Sequence, residues 1–179
     1  MPSVHKERRL QFEFSDEWTV IKYDEHVDYT KGIHGLHETH AVDFIALLDS
    51  KTLYFIEVKD FRGHEPENRK RITSGALAIQ VGQKVRDTIA GIVAAHHRGK
   101  GETWNKYVTP LLSSEPPVRI VLWIEYNSEN SRSGRRPDYD TILTAALKTQ
   151  LRWLTTKVQV MSLASRGPEG LVVSNLPRN

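Results

Sequence analysis

Residues 41–61 read AVDFIALLDSKTLYFIEVKDF. Two apolar runs, 41–48 and 52–61, are separated by Asp49-Ser50, a pair that favours a turn. Nearly continuous apolar runs of this length suit strands covered on both faces, as in an α/β sheet. A tight turn at 49–50 folds the second strand back on the first. Three polar residues interrupt the pattern: Asp43, Glu57 and Lys59. In a strand, residues i and i+2 share a face, so Glu57 and Lys59 stand side by side. The reversal brings Asp43 toward them. Two carboxylates converging in a partly buried place repel each other, which raises a pKa or demands a cation. A hard divalent ion meets that demand, and Mg²⁺ commonly takes one or two carboxylates, water and a substrate phosphate. The Val58 backbone carbonyl is a further candidate ligand. Lys59 can orient or deprotonate a water, or stabilise charge on a phosphate under attack. These are the parts of metal-assisted phosphodiester hydrolysis.

Outward from this stretch, residues 10–14 and 18–23 alternate apolar and polar side chains, which predicts two short strands and a hairpin between them. Asp24 is placed to cap a helical turn over 25–31, and 32–40 reads as a loop with two glycines and three histidines. Residues 62–71 read as a charged loop. The spacing of Leu77, Val81, Val85, Ile89 and Ile92 predicts a helix over 74–98, with Ser74 as N-cap and Gly99 as stop. Residues 113–117 read as a connection and 119–126 as a buried strand. A polar, basic loop over 127–138 precedes a second amphipathic helix over 140–157 and a last strand over 158–163. The expected fold is α/β: a mixed central β-sheet flanked by helices, in one domain spanning 1–179.

The bulk numbers agree. The chain has 179 residues, enough for one domain with a substantial core. Apolar residues make up 39% and charged residues 26%, ordinary for a globular protein. The net charge of +3 permits a nucleic-acid partner without requiring one. There is no cysteine, which excludes disulfides, thiolate nucleophiles and zinc–cysteine sites. No apolar run approaches the ~20 residues that span a bilayer, and the first residues lack a signal-peptide core. A cytoplasmic protein is expected.

With Val42-Asp43 on one strand and Glu57-Val58-Lys59 ending the next, the chain resembles the PD-(D/E)xK nuclease superfamily, with its restriction-endonuclease-like core. The resemblance covers residues 41–98. It implies a core of a helix, three strands, a helix and a further strand, and a metal-dependent endodeoxyribonuclease. It also implies Mg²⁺ or Mn²⁺ held by Asp43 and Glu57, with Lys59 as the catalytic lysine. Gln80 falls where some members place a glutamine that supports the active site or touches DNA. Two positions depart from the pattern: Val42 replaces the eponymous proline, and Lys84 stands where RecB-like members carry tyrosine. Many members add an acid before the core sheet, and Glu25 is the first candidate for a metal ligand there, ahead of Asp24 and Glu7. DNA is the implied partner, with a homodimer or a targeting protein to direct so small an enzyme.

Plainer accounts exist for each feature. Glu57 and Lys59 on an exposed edge would be a salt bridge worth ~0–1 kcal/mol, but their apolar neighbours argue against an edge. His34, His37 and His40 lie among glycines and read as a polar loop near the mouth of the site. Trp104, Trp123, Trp153 and Trp18 read as packing residues. The basic clusters Arg69-Lys70-Arg71 and Arg132, Arg135, Arg136 would ordinarily serve solubility. Beside a nuclease site they read as phosphate contacts, with Lys84 added from the helix. The alternative function is an inactive nucleic-acid-binding or assembly protein that keeps the nuclease fold. An interaction domain with no nucleic-acid role comes third.

Overall fold

The computed structural model describes residues 2–63, 65–115, 118–126 and 138–177. Its centre is a five-stranded mixed sheet. The strands are β3 (Trp18–Lys22), β4 (Phe44–Leu48), β5 (Thr52–Asp60), β6 (Arg119–Glu125) and β7 (Val158–Met161), neighbours in that order. The β3–β4 and β4–β5 pairings are antiparallel, and β5–β6 and β6–β7 are parallel. Asp49 and Ser50 both take left-handed backbone, with φ of 52° and 55°, and this reverses the chain between β4 and β5.

Each strand of this sheet sends alternate residues to opposite faces. Ile45, Leu47, Leu53, Phe55, Leu122 and Ile124 pack against helices. These helices are α3 (Ala76–His97), α4 (Gly101–Val108) and α5 (Tyr139–Leu151), with the short α1 (Val27–Thr30) beside α3. Phe44, Ala46, Ile56, Val58, Val121 and Trp123 face the other way. There they meet a three-stranded antiparallel sheet of β1 (Ser3–Glu7), β2 (Leu10–Phe14) and β8 (Leu171–Asn175), ordered β1-β2-β8. Leu10, Phe12 and Phe14 of β2 are fully or almost fully buried in this second core. The apolar runs of β4 and β5 are therefore covered on both faces, by helices on one side and by a small sheet on the other.

Several sequence expectations need correction. Strands β2 and β3 form no hairpin: they belong to different sheets, and the chain crosses between them at residues 15–17. The segment 62–71, expected as a loop, contains most of the helix α2 (Glu65–Thr73), whose charged surface has no apolar stripe and buries Asn68 and Ile72 one turn apart. Helix α1 is capped by His26, whose Nδ1 accepts from the Asp28 N–H, and not by Asp24. Gly75, with φ of 77°, precedes α3 in place of Ser74. Helix α5 ends at Leu151, and Trp153 beyond it is 56% exposed, while Trp18, Trp104 and Trp123 are buried. The loop expected over 127–138 lies, but for Asp138, outside the described residues, as do Pro116 and Pro117. Among the described residues no helix is long and apolar enough to cross a membrane.

Candidate active site

The register that pairs Phe44 with Ile56 sets Asp43, one residue earlier, beside Glu57. Both point to the helical face of the sheet and both are buried, Asp43 to 6% exposure and Glu57 to 1%. Asp43 Oδ2 accepts the Val58 N–H at 2.6 Å, so the carboxylate is fixed to the neighbouring strand. The segment leading into Asp43 is pinned to α3: the Val42 N–H donates to Thr88 Oγ1 at 3.0 Å and the His40 N–H to Asp87 Oδ2 at 3.2 Å.

Glu57 is held by two ammonium groups. Lys59 Nζ donates to Oε1 at 2.6 Å, as the i, i+2 spacing requires. Lys84 Nζ reaches down from α3, 2.7 Å from Oε1 and 3.0 Å from Oε2. Lys84, expected on a nucleic-acid surface, is instead largely enclosed, at 14% side-chain exposure, with its charge turned onto Glu57. The sequence carries a signal for this: Lys84 interrupts the stripe of Leu77, Val81, Val85 and Thr88, all of which face inward.

Asp43 also belongs to a group of acids. One carboxylate oxygen each from Glu7, Asp24 and Asp43 lie within 4.8 Å of one another. Glu7 comes from the end of β1 and Asp24 follows β3, where the Tyr23 N–H donates to the Asp43 carbonyl at 2.9 Å. Lys22 Nζ sits 3.0 Å from Glu7 and also pairs with Glu25. Glu25, the first candidate for the preceding acid, is thus turned onto Lys22 at 67% side-chain exposure and is not in the group. Asp24 and Glu7 stand beside Asp43 instead. The histidines at 34, 37 and 40 contribute to no such group among the described residues; His34 Nδ1 lies 3.0 Å from the Tyr29 hydroxyl.

The electrostatics follow from this crowding. Burial, and then the charge of Glu57, push the Asp43 carboxyl up to about 8. Burial, with Glu7 and Glu25 adding to it and Lys22 opposing it, pushes Asp24 up to about 6. Burial works against a charged Lys84, but Glu57, Asp43 and Asp24 outweigh it and raise its pKa. A buried Asp24 Oδ1 has no hydrogen-bond partner among the described residues. Oxygen atoms at this spacing, one of them without a hydrogen-bond partner among the described residues, suit a hard divalent cation.

Next to Lys59 opens a cleft of about 610 Å³, lined by Arg8, Arg9, Arg62, Arg71 and Gln80 among others. Arg9 and Arg62 both clasp Asp60, with nitrogen–oxygen distances of 2.7–2.8 Å. Burial of Asp60 is outweighed by these guanidinium contacts, which hold its carboxyl well below the ordinary range. Gln80, expected at the catalytic centre, instead accepts at its Oε1 from Arg71 Nη2 at 2.8 Å. Lys70 is exposed in the last turn of α2, and Arg69 is exposed beside it. Arg132, Arg135 and Arg136 lie outside the described residues. Arg8 and Arg9, at the tip of the β1–β2 hairpin, are members of the cleft that the sequence does not single out. Nothing in a local reading joins residue 9 to residue 60.

The fold and site together define an α/β domain with a buried carboxylate–lysine centre beside a basic cleft. No family model matches the chain, and no solved structure matches it. The chain is similar to a cysteine–tRNA ligase of Neisseria meningitidis, at 31% identity over 70% of its own length. It spans 22% of the length of that ligase.

Proposed function

We propose that the chain is a metal-dependent nuclease that hydrolyses DNA phosphodiester bonds, with a restriction-endonuclease-like core. The observation that carries this reading is the convergence of Asp43, Glu57 and Lys59 on one face of the β4–β5 hairpin, with Asp24 and Glu7 completing an acidic group at Asp43. Four carboxylates and three lysines (Lys22, Lys59 and Lys84) meet in a small volume. Such a concentration of buried charge is costly as mere structure, since an apolar replacement is often neutral or stabilising.

In this reading Asp43, with Asp24 or Glu7 as the preceding acid, would hold Mg²⁺ or Mn²⁺. Glu57, outside that group and engaged by Lys59 and Lys84, would join only by giving up a lysine contact, and the Val58 carbonyl is a further candidate ligand. The ion supplies Lewis acidity toward a phosphoryl oxygen. Lys59 is placed to orient the attacking water or to neutralise charge that develops on the phosphate. Lys84 orients Glu57. The basic cleft beside Lys59 is where a polyanion would lie, with Arg71 on its α2 side; Arg69 and Lys70 stand exposed on the same helix. A homodimer or a targeting protein would direct the enzyme to its substrate. The name of the similar ligase includes tRNA, so RNA belongs among the substrates tried.

The test is incubation of the protein with plasmid, single-stranded DNA and tRNA, in EDTA, Mg²⁺ or Mn²⁺, beside Glu57→Ala and Lys59→Ala. Metal-dependent cleavage abolished by both substitutions is the expected result. Binding of nucleic acid without cleavage of any substrate would favour the inactive nucleic-acid-binding alternative. Absence of both cleavage and metal-induced stabilisation would reject the catalytic reading.

A further inference from the structure

Arg71 differs from the other arginines of the cleft. Arg9 and Arg62 share the one carboxylate of Asp60, and Arg8 Nε lies 3.4 Å from Glu7. Arg71, among the described residues, is held by neutral groups. Its Nη2 donates to Gln80 Oε1 at 2.8 Å and its Nη1 to Asn68 Oδ1 at 3.3 Å. Its guanidinium carbon stands 5.8 Å from the centre of the Phe61 ring. Asn68 is buried and Phe61 is 4% exposed, so the framework behind the guanidinium is fixed. The result is a half-buried cation, oriented by two amide oxygens and an aromatic ring, with no carboxylate partner among the described residues, at the wall of the cleft that Lys59 also lines. Amide acceptors fix a guanidinium without cancelling its charge. That leaves the planar fork able to take a phosphate, which it matches in geometry.

We propose that Arg71 is a phosphate receptor for the substrate strand, and that Gln80 is a positioning residue that acts through Arg71 and not on the attacking water. The proposal rests on the nuclease reading for its substrate class and goes beyond it in assigning one phosphate to one side chain. Helix α3 then serves the site from two successive turns: Gln80 aims Arg71 at a phosphate, and Lys84, one turn on, holds Glu57. The phosphate bound is either an internal diester or a terminal monoester, since both present the same oxygens to a guanidinium.

The experiment is fluorescence anisotropy of labelled DNA oligonucleotides in EDTA, at several salt concentrations, so that no turnover is needed. The oligonucleotides carry a 5′-phosphate, a 3′-phosphate or neither. The proteins are wild type, Arg71→Ala, Gln80→Ala and Gln80→Glu. Gln80→Glu keeps the shape but places a carboxylate on Arg71, where it competes with phosphate. Arg71→Ala and Gln80→Glu are expected to weaken binding about tenfold or more and to lower the salt-dependence slope by about one ion. Gln80→Ala is expected to do less, and melting temperatures are to remain within a few degrees. A Gln80→Glu protein that melts higher but binds less would be the clearest support. Loss of discrimination for one phosphorylated end would identify a terminal phosphate, and equal loss on all three oligonucleotides an internal one. Unchanged affinity and slope in Arg71→Ala, or no binding by the wild type, overturns the proposal. Arg71-dependent binding without metal-dependent cleavage keeps the proposal and removes the catalytic reading, so the two failures are separable.

Discussion

Replacing Asp43 by asparagine should make the metal-free protein more stable at neutral and alkaline pH. The carboxyl is raised to about 8 in the fold, from an ordinary value of 3.8. The folded protein therefore prefers Asp43 protonated, and the preference is fully expressed below pH 4. As pH rises from about 4 to 8, the unfolded chain gives up this proton while the folded one keeps it, and stability falls. Each pH unit between the two values is worth about 1.4 kcal/mol, so the loss is on the order of 5 kcal/mol across that window. Asp43→Asn removes the titration and can keep an oxygen for the Val58 N–H, now 2.6 Å from Oδ2. The variant should gain a few kcal/mol over wild type at pH 8 in EDTA, and roughly 2–4 °C of melting temperature for each. At pH 4 the two proteins should melt together. Added Mn²⁺ should raise the wild-type melting temperature, more at pH 8 than at pH 6, and leave the variant unmoved. Thermal melts over pH 4–9, with and without metal, decide the matter. A variant less stable than wild type at pH 8 in EDTA, or one still stabilised by Mn²⁺, would refute the reasoning.

Other perturbations test the frame around the site. Lys84→Met leaves Glu57 buried with Lys59 alone, and should cost about 2–4 kcal/mol in urea unfolding, below the ~3–5 kcal/mol of a fully broken pair; an unchanged midpoint would mean that Lys59 suffices. A methyl group added at Gly91 would lie 2.3 Å from the buried Tyr23 hydroxyl. Gly91→Ala should therefore lower stability by ~1–2 kcal/mol, the ~1–3 kcal/mol of overpacking less part of the gain in helix propensity, and should weaken the Mn²⁺ shift, because Tyr23 adjoins Asp24. Asp60 is held low by Arg62 and Arg9, so its contribution is present above pH 4 and lost as pH falls. Asp60→Asn should be less stable by about 1–3 kcal/mol at pH 7 and should show a flatter acid limb than wild type in melts from pH 2 to 7.

The β4–β5 hairpin is legible in the sequence because strand periodicity is strict. Asp43, Glu57 and Lys59 have to share a face once residues 49–50 are read as the turn. Strand β6 and helices α3 and α5 are legible from apolar spacing. Helix α2 is not, since its sequence EPENRKRIT has one large apolar residue, Ile72, and its helicity depends on packing against α3 and α5. The small sheet is half hidden. Strand β2 alternates cleanly, but its partners β1 and β8 stand at opposite ends of the chain, and a pairing as distant as Leu10 with Asn175 leaves no local mark. The same separation conceals Glu7 and Arg9. Asp24 misleads because an aspartate before a short helix has the signature of a cap, and His26 takes that place.

The acidic group has one property that belongs to neither sheet alone. Glu7 is carried by the small sheet, whereas Asp24 and Asp43 adjoin the large one. An ion bound by all three would be a tie across the seam between the layers, and the seam is otherwise closed by Phe12, Phe14 and Phe44. Fraying of β1 would withdraw one ligand, so the ion's residence time could not exceed the interval between openings of that strand. Amide exchange along β1 and the rate of Mn²⁺ release should then rise in parallel when Phe12→Leu loosens the seam. Exchange that quickens while release does not would place the ion on the large sheet alone.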